Sequence, residues 1–334
     1  MNKNNIFNII AVILCTIIGA GFASGRELYT FFARFGLYGV IGTTISAILF
    51  GLVIYCALKI VNKFRIKNND EFIKEIHASK VFLNMINVFL IVSFYIMIAG
   101  FSAFFKQEYH ISVILTSTIL CFILYLILSQ RVECILKINT VLAPVLFVII
   151  TYIGIKYGLQ NLSLYNGNRI IEAIISSILY TSYNSLILIP ILITLSSYIK
   201  TNKQIYVISI LSSIVFFILA IMMFITLNTK GINMNNIDLP ILAVIKDEKE
   251  KIICAIGIEI AIFTSAIATG YGFINNTKNS SMIKNKHIIR IICLSGIPIS
   301  ALGFRNLVSI LYPIFGAIGV IQIVLIFRKS IEKI

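Results

Sequence analysis

Charged residues are scarce in this sequence, and their scarcity determines the class of protein. Of 334 residues, 12% are charged and 59% are hydrophobic, and no long polar stretch could build a separate soluble domain. Apolar runs of the length needed to cross a bilayer, about 20 residues, recur along the whole chain. We therefore expect an all-α polytopic membrane protein that forms a single transmembrane domain over residues 1–334.

Other absences exclude further classes of protein. Tryptophan is missing, so tyrosine and phenylalanine must supply any aromatic belt at the membrane interface. The six cysteines form no CxxC pair, which argues against disulfides and metal clusters. The net charge of +15 does not indicate nucleic-acid binding, because the basic residues lie in short loops between apolar runs. No nucleophile, base and orienting group converge in the sequence, so we expect neither an enzyme nor a resident cofactor.

The apolar runs can be divided into ten spans. They cover residues 6–35, 37–61, 81–105, 111–129, 138–157, 168–199, 203–227, 251–275, 288–303 and 306–327. The first span is interrupted near 19–25 and the sixth near 181–185. Five spans per half invert one half relative to the other, so the pattern predicts a 5+5 inverted repeat with halves at about 1–160 and 161–334. The charged segment 68–80 predicts a helix on the membrane surface.

Lysine and arginine are distributed unevenly between the two sides of these spans. Ten spans place both termini on one side, and the loops of that side carry most of the basic residues. Such residues concentrate in cytoplasmic loops. The sequence therefore predicts a multi-pass protein of the cell membrane with both termini in the cytoplasm.

The interruption of the first span has the sequence GAGFASG. Backbone left unpaired in lipid costs several kcal/mol per group, so unwinding is tolerated only where it lines a cavity or binds a ligand. Gly19, Gly21 and Gly25 permit an unwound backbone that a ligand can approach. A half-helix beginning near Ser24 would present N–H groups to an anion, and one ending near Ile18 would present carbonyls to a cation. The alternative is that the glycines only allow close helix packing.

The second interruption lies in LYTSYNSLILIP, residues 179–190. Its polar groups could bond a ligand or freed backbone, and its tyrosines could form the wall of a pocket. These residues are Tyr180, Thr181, Ser182, Tyr183, Asn184 and Ser185. Pro190 lacks an N–H and loosens the preceding turn. The alternative is a helix that Pro190 kinks, in which the serine and threonine hydroxyls are satisfied internally.

The eighth span carries hydroxyl groups and one acid. Ser265 and Thr269 share a helix face with Glu259, and Thr264 lies at the edge of that face. Hydroxyl oxygens suit Na⁺ as hard ligands. A carboxylate inside a membrane is a candidate functional group. Glu259 could carry a proton, assist a cation or pair with Arg26, and the alternative is a carboxyl that bonds neighbouring helices.

Two charged residues follow the break in the first span. Glu27 suits a helix N-terminus, whereas the charge of Arg26 opposes the helix dipole. We therefore expect Arg26 at an outer gate, where it pairs with an acid or with carbonyls across a vestibule. Glu172 and Glu259 are the candidate acids, and Glu172 should lie nearer the outer face. The alternative is that Arg26 extends to the lipid headgroups.

Three stretches resemble the YkvI-like bacterial membrane proteins. They are GAGFASGRELYTFFARFGLYG in the first span, YTSYN in the sixth and FTSAIATGYG in the eighth. That family belongs to the amino acid-polyamine-organocation superfamily, which has the LeuT-type fold. The resemblance therefore implies a five-plus-five inverted repeat and alternating access.

The resemblance also implies a site. In sodium-coupled members of the superfamily, one Na⁺ lies between carbonyls of the first helix and adjacent hydroxyls on the eighth. In members that carry amino acids, the substrate carboxylate meets the glycine-rich break. Carried onto this chain, these positions are Cys15, Ile18, Thr264 and Ser265 for Na⁺, and Gly19, Ala20 and Gly21 for the carboxylate. Some proton-coupled relatives replace that Na⁺ with a lysine on the fifth helix, and residues 138–154 contain none, which favours Na⁺.

The sequence thus predicts a secondary active transporter, a Na⁺-coupled symporter of an amino acid or similar small zwitterion. Two alternatives stay open: a non-transporting, permease-like receptor subunit of the germinant-receptor type, and a proton-coupled carrier that uses Glu259. The predicted solute-binding residues are Gly19, Ala20, Gly21, Phe22, Ser24, Gly25, Tyr180, Thr181, Tyr183 and Asn184. The predicted gating or proton-linked residues are Arg26, Glu27, Glu172 and Glu259.

Overall fold

The structure is a computed structural model that describes residues 3–129, 144–145, 147–158, 169–228, 234–276 and 282–332. Within these ranges every regular element is a helix. The helices are α1 (Lys3–Ile17), α2 (Ala20–Ala23), α3 (Arg26–Phe31), α4 (Leu37–Phe64), α5 (Asn69–Glu75), α6 (Lys80–Tyr109), α7 (Val113–Leu128), α8 (Phe147–Gly158), α9 (Ile170–Ser196), α10 (Asn202–Leu227), α11 (Pro240–Val244), α12 (Glu248–Asn276), α13 (Met282–Ser300) and α14 (Phe304–Ile331). Short 3₁₀ turns cover Ala33–Phe35 and Met234–Asn236.

Six of the described helices are long and apolar enough to cross a membrane, namely α4, α6, α9, α10, α12 and α14. Shorter or interrupted helices lie at the other four predicted spans, which are α1 to α3, α7, α8 and α13. The all-helical membrane architecture is therefore confirmed. The ten-span inverted repeat stays a prediction, and its boundary near residue 160 lies outside the described residues.

The first span is broken, as predicted. Helix α1 ends at Ile17, and Gly19 has an extended backbone (φ −84°, ψ −169°). The helix resumes at Ala20 rather than near Ser24, and ends again at Gly25, whose φ of +79° favours glycine. The chain therefore passes the middle of the bundle in three short pieces.

The predicted break in the sixth span is wrong, because α9 continues from Ile170 to Ser196. The threonine, serine and asparagine side chains of its polar segment bond carbonyls of their own helix. Thr181 Oγ1 donates to Ser177 O (3.1 Å), Ser182 Oγ to Ile178 O (2.7 Å), and Asn184 Nδ2 to Tyr180 O (3.0 Å). These bonds satisfy the polar groups without unwinding the backbone. The alternative of internally bonded hydroxyls is the one observed.

Helix α14 packs closely against this straight segment of α9. A Cβ on Gly316 would lie 2.7 Å from the carbonyl oxygen of Leu179, and a Cβ on Gly319 would lie 2.5 Å from the carbonyl carbon of Ser182. Only glycine allows so close an approach of two helix backbones. The contact lies against the segment where the sequence predicted a break.

Segment 68–80 forms the short helix α5. The side chain of Asn68 caps it by accepting a bond from Glu71 N (2.9 Å). Phe72 and Ile73 are buried against the bundle, so the apolar face of α5 packs on protein rather than lying on lipid as predicted. Lys329 near the end of α14 pairs with Glu75 at 2.8 Å. Helix α5 and the C-terminal end of α14 therefore lie at the same end of the bundle.

We expect Gly319→Ala to lower the melting temperature of the detergent-purified protein. Helix propensity alone would favour alanine over glycine by about 1 kcal/mol. Overpacking against the α9 backbone costs about 1–3 kcal/mol and opposes that gain. The matched control is Gly272→Ala in α12, where the nearest atom would be 3.5 Å away. A Gly319→Ala protein as stable as Gly272→Ala would contradict the close contact of α14 with α9.

Candidate functional site

A cavity of about 540 Å³ begins at the break in the first helix. Its wall comes from α1, α6, α9, α12 and α14, together with Gly19, Glu27 of α3 and residues 67–70 at the start of α5. Lys67, Asn68, Asp70 and Tyr198 belong to the wall and are exposed, so the cavity opens between the ends of α4 and α9. This is the end of the bundle that carries α5 and the end of α14.

The opposite end is covered by residues 234–244, which we call the covering segment. Its Ile241 N donates to Ser24 O at 3.1 Å, and its Leu239 N donates to Gln107 Oε1 of α6 at 3.2 Å. Arg305 of α14 donates from its backbone N to Asp238 Oδ1 at 3.1 Å. The covering segment therefore joins the turn between α2 and α3 to α6 and α14, and the cavity is accessible from one end.

Arg26 holds the covering segment by hydrogen bonds to its backbone. Its Nη1 donates to the carbonyls of Met234 (3.0 Å) and Ile237 (3.1 Å), and the residue is 5% exposed. Of the predicted partners, carbonyls are the ones observed, and the role of Arg26 at an outer gate stays a prediction. The predicted pairing with Glu172 is wrong, because Glu172 lies on the surface and faces Arg169 at 3.5 Å. Burial also excludes the alternative in which Arg26 extends to the headgroups.

Glu27 points in the opposite direction, into the cavity. Its side chain is 3% exposed and folds over α2, so that a Cβ on Gly21 would lie 2.5 Å from its Cγ and Cδ. Gly21 is therefore the residue that makes room for this carboxylate. The space beside Gly21, which the sequence assigned to a substrate carboxylate, contains the carboxylate of Glu27 instead.

The predicted solute-binding residues are divided between the cavity wall and the surrounding core. Gly19, Tyr183 and Asn184 line the cavity. The other seven do not belong to the wall and are buried, namely Ala20, Gly21, Phe22, Ser24, Gly25, Tyr180 and Thr181. The hydroxyl of Ser24 donates to Gly21 O at 3.2 Å, and the ring of Tyr180 lies between those of Phe32 (4.9 Å) and Phe50 (6.0 Å).

Three of the four predicted Na⁺ residues line the cavity, namely Cys15, Thr264 and Ser265. Ile18 is buried and lies outside the wall. A Cβ on Gly19 would lie 3.3 Å from Ser265 Oγ, so this hydroxyl directly faces the break. Thr264 Oγ1 bonds the carbonyls of Ile260 (3.0 Å) and Ala261 (3.1 Å) in its own helix. Oxygen atoms of α12 thus lie beside the end of α1.

Glu259 lies outside the cavity wall. Both of its carboxylate oxygens are buried and have no hydrogen-bond partner in the described part of the chain. The predicted pairing with Arg26 is wrong, because Arg26 bonds the covering segment. The structure therefore contains a second buried carboxylate, apart from Glu27.

Among the cavity residues that the sequence analysis missed, two are polar groups deep in the bundle. Tyr312 of α14 stacks on Tyr183 with ring centroids 4.5 Å apart, and Ser93 of α6 has a buried Oγ that finds no partner among the described residues. Both are polar groups inside apolar spans. That feature was available in the sequence, although it does not say which helix face meets the cavity.

The chain is similar over nearly its whole length to two proteins of Bacillus subtilis (strain 168). It is 22% identical to "Uncharacterized membrane protein YkvI" over 95% of this chain and 94% of the relative. It is 25% identical to "Uncharacterized protein YyaD" over 94% of this chain and 93% of the relative. No protein-family model matches the chain. The similarity to YkvI predicted from the three motifs is confirmed.

Solved structures show that the fold is of the LeuT type. MhsT in complex with L-phenylalanine matches 96% of this chain and 88% of its own, with a TM-score of 0.68 and 18% identity. A manganese transporter of Eremococcus coleocola matches 96% and 77%, with a TM-score of 0.64 and 11% identity. A Na⁺-coupled sialic acid symporter matches 93% and 75%, with a TM-score of 0.54 and 11% identity. These proteins are transporters and not enzymes, in agreement with the prediction.

We expect Gly21→Ala to lower the melting temperature, because the added Cβ collides with the side chain of Glu27. Helix propensity predicts the opposite sign, a gain of about 1 kcal/mol. The double variant Gly21→Ala/Glu27→Ala removes the collision and should recover the stability of Glu27→Ala alone. Gly272→Ala is again the control for an added methyl group. A double variant no more stable than Gly21→Ala would show that Glu27 does not occupy this space.

We expect Arg26→Ala to open the covered end. The variant loses two hydrogen bonds from a charged group, each worth about 1.5–3 kcal/mol, and a shift of about 1.4 kcal/mol raises the open population about tenfold. The reporter is Thr30→Cys in α3, which is buried, and its labelling by a membrane-impermeant maleimide is measured in whole cells. The parent without Thr30→Cys corrects for native cysteines. Arg34→Ala is the matched control, and equal labelling in the two variants would contradict the role of Arg26.

Proposed function

We propose that this chain is a secondary active transporter that moves a small solute by alternating access. The observation that carries the proposal is the cavity at the broken helix, which is open at one end and covered at the other. Its volume of about 540 Å³ falls in the range of small-molecule sites. With the termini in the cytoplasm, as the distribution of basic residues predicts, the structure corresponds to an inward-open state.

The covered end is held by hydrogen bonds that can break and reform, together with buried apolar contacts of Met234, Leu239 and Ile241. The bonds of Arg26, Ser24, Gln107 and Arg305 to the covering segment connect mostly backbone groups that water could also satisfy. A typical hydrogen bond contributes only about 0.5–1.5 kcal/mol net, because water competes for both partners. The helices behind these bonds are packed as a large apolar core. An opening at this end would break these hydrogen bonds and the apolar contacts of the covering segment while the long helices stay folded.

For the finer function we propose a Na⁺-coupled symporter of an amino acid or similar zwitterion. The Ser265 hydroxyl beside Gly19 brings α12 oxygens to the end of α1, where helix carbonyls point. An ion there would be coordinated by both α1 and α12. Solute binding at the same break would then depend on the bound ion. Two of the structurally similar proteins support this choice, a Na⁺-coupled sialic acid symporter and MhsT in complex with L-phenylalanine.

A proton-coupled carrier is the second candidate, and it has its own observation. Glu27 and Glu259 are buried carboxylates with unpartnered oxygens in the described part of the chain. Leaving such a group charged and unpaired inside a membrane is costly, so a proton or another cation must compensate it. Either glutamate could therefore exchange a proton during transport.

The deciding experiment is uptake of radiolabelled amino acids into proteoliposomes under an imposed Na⁺ gradient, an imposed pH gradient or neither. Uptake that follows the Na⁺ gradient supports the symporter, and uptake that follows only the pH gradient supports the second candidate. Glu259→Gln should affect only the proton-driven reaction. Solute binding without net movement under any gradient would contradict transport and favour a receptor.

We expect Thr264→Ala/Ser265→Ala to raise the Na⁺ concentration needed for half-maximal uptake about tenfold or more. Removing hydroxyl ligands weakens the ion, and linkage weakens solute binding by the same coupling factor. The single variants should differ, because Thr264 Oγ1 already bonds its own helix whereas Ser265 Oγ faces Gly19. Thr118→Ala on the exposed face of α7 is the matched control. Unchanged Na⁺ dependence in the double variant would remove Na⁺ from this position.

A further inference from the structure

We infer that the Glu27 carboxylate is a subsite for the ammonium group of the solute, closed on one side by the rings of Tyr183 and Tyr312. The inference rests on the proposed function, in that the bound molecule is the transported one. The sequence predicted that the glycine break binds an anionic group of the solute. We infer that it binds a cationic group instead, because the chain's own carboxylate lies at Gly21.

Packing fixes the position of the Glu27 carboxylate at the cavity wall. Glu27 is the second residue of α3, is 3% exposed, and belongs to the cavity wall. Its Cγ and Cδ lie in the space that a Gly21 side chain would need. Its direction is therefore fixed by packing, and the charge faces the cavity rather than lipid or the covering segment.

No cation of the described chain neutralises the carboxylate of Glu27. Glu27 takes part in no ion pair among those the described residues form, and its Oε2 is buried without a hydrogen-bond partner. The neighbouring Arg26 directs its guanidinium to the carbonyls of Met234 and Ile237. A buried carboxylate without a cationic partner is costly, so a cation entering through the open end would be strongly favoured.

The wall beside Glu27 contains aromatic rings and an amide oxygen, which suit an organic ammonium ion. Tyr183 and Tyr312 stack at 4.5 Å in the same wall, and both lie within electrostatic reach of Glu27. Aromatic faces attract organic cations, most strongly where water is excluded. Asn184 donates its Nδ2 to Tyr180 O, which leaves its Oδ1 as an acceptor in the wall. An ammonium group carries three N–H donors, and these acceptors and rings suit it.

The same wall suits other ligands less well. A solute carboxylate next to Gly21 would meet the like charge of Glu27. A divalent metal ion would need several oxygen, nitrogen or sulfur ligands, and no group of three or more His, Cys, Asp or Glu residues comes together in the part of the chain that the structure describes. The carboxylate of a zwitterion would therefore point away from Glu27, toward Gly19 and the α12 hydroxyls.

The test uses purified full-length protein and matched trios that share one side chain. Each trio has an amino acid, the amine without its carboxylate and the acid without its amine. The trios are leucine, 3-methylbutylamine and 4-methylpentanoate; phenylalanine, 2-phenylethylamine and 3-phenylpropanoate; and alanine, ethylamine and propanoate. Binding is measured by the shift in melting temperature and by calorimetry, at constant pH and constant Na⁺. We expect the amine of the preferred trio to bind and its acid not to bind.

The variants connect this selectivity to the residues. Glu27→Gln keeps the shape of the side chain and removes its charge, so amine affinity should fall about tenfold or more, as for loss of a charge-assisted hydrogen bond. Tyr312→Phe should retain amine affinity and Tyr312→Leu should reduce it. Glu172→Gln, a surface acid, is the control and should bind as the parent does. Size-exclusion profiles and melting temperatures without ligand check that each variant is folded.

The outcomes separate this inference from the transport proposal. An acid that binds as tightly as its amine, the failure of every amine to bind, or a folded Glu27→Gln with unchanged amine affinity would each overturn the ammonium subsite. The last result, together with loss of pH-driven uptake, would make Glu27 a proton carrier instead. Glu27-dependent amine binding without uptake into proteoliposomes would leave the subsite intact and overturn transport. Uptake of a solute without ammonium selectivity would support transport and overturn the ammonium subsite.

Discussion

A helix inside a bilayer must satisfy its own backbone hydrogen bonds, and the first membrane helix of this chain does so in three pieces. The interruption at Gly19 and the left-handed turn at Gly25 remove bonds that a continuous helix would make. Such a break persists only where other structure compensates it. Here the cavity leaves room for water or a ligand on one side, and Ile241 N bonds Ser24 O on the other. The cavity, the covering segment and the direction of Glu27 all follow from this break.

The break also separates two adjacent charges. Successive residues on a helix point about 100° apart, so Arg26 and Glu27 at the start of α3 cannot face the same neighbour. Arg26 reaches the covering segment, and Glu27 reaches back over Gly21 into the cavity. A movement of α3 would therefore change the covered end and the cavity wall together. One short helix of six residues thus connects the covered end to the cavity.

Comparison of α1 to α3 with α9 shows what the sequence could predict. Both segments combine apolar runs with small and polar residues, yet only the first is broken. Glycine at positions 19, 21 and 25 offers the backbone no side-chain partner, so that break was predictable. In α9 the hydroxyl and amide groups bond carbonyls of the preceding turn. The sequence allowed either outcome there, and the contact with Gly316 and Gly319 of α14, more than a hundred residues away, favours the straight helix.

The candidate site was predictable in its position and less so in its polarity. The glycines placed a cavity at the middle of the first span, and Tyr183, Asn184 and Ser265 indeed line it. What local pattern could not supply is the direction of a side chain after a left-handed turn, because Gly25 changes the helix axis between Gly21 and Glu27. If α3 continued α2 without that turn, residues six apart would lie on widely separated faces. The turn brings them together, and it converts a break that would attract an anion into one that already contains a carboxylate.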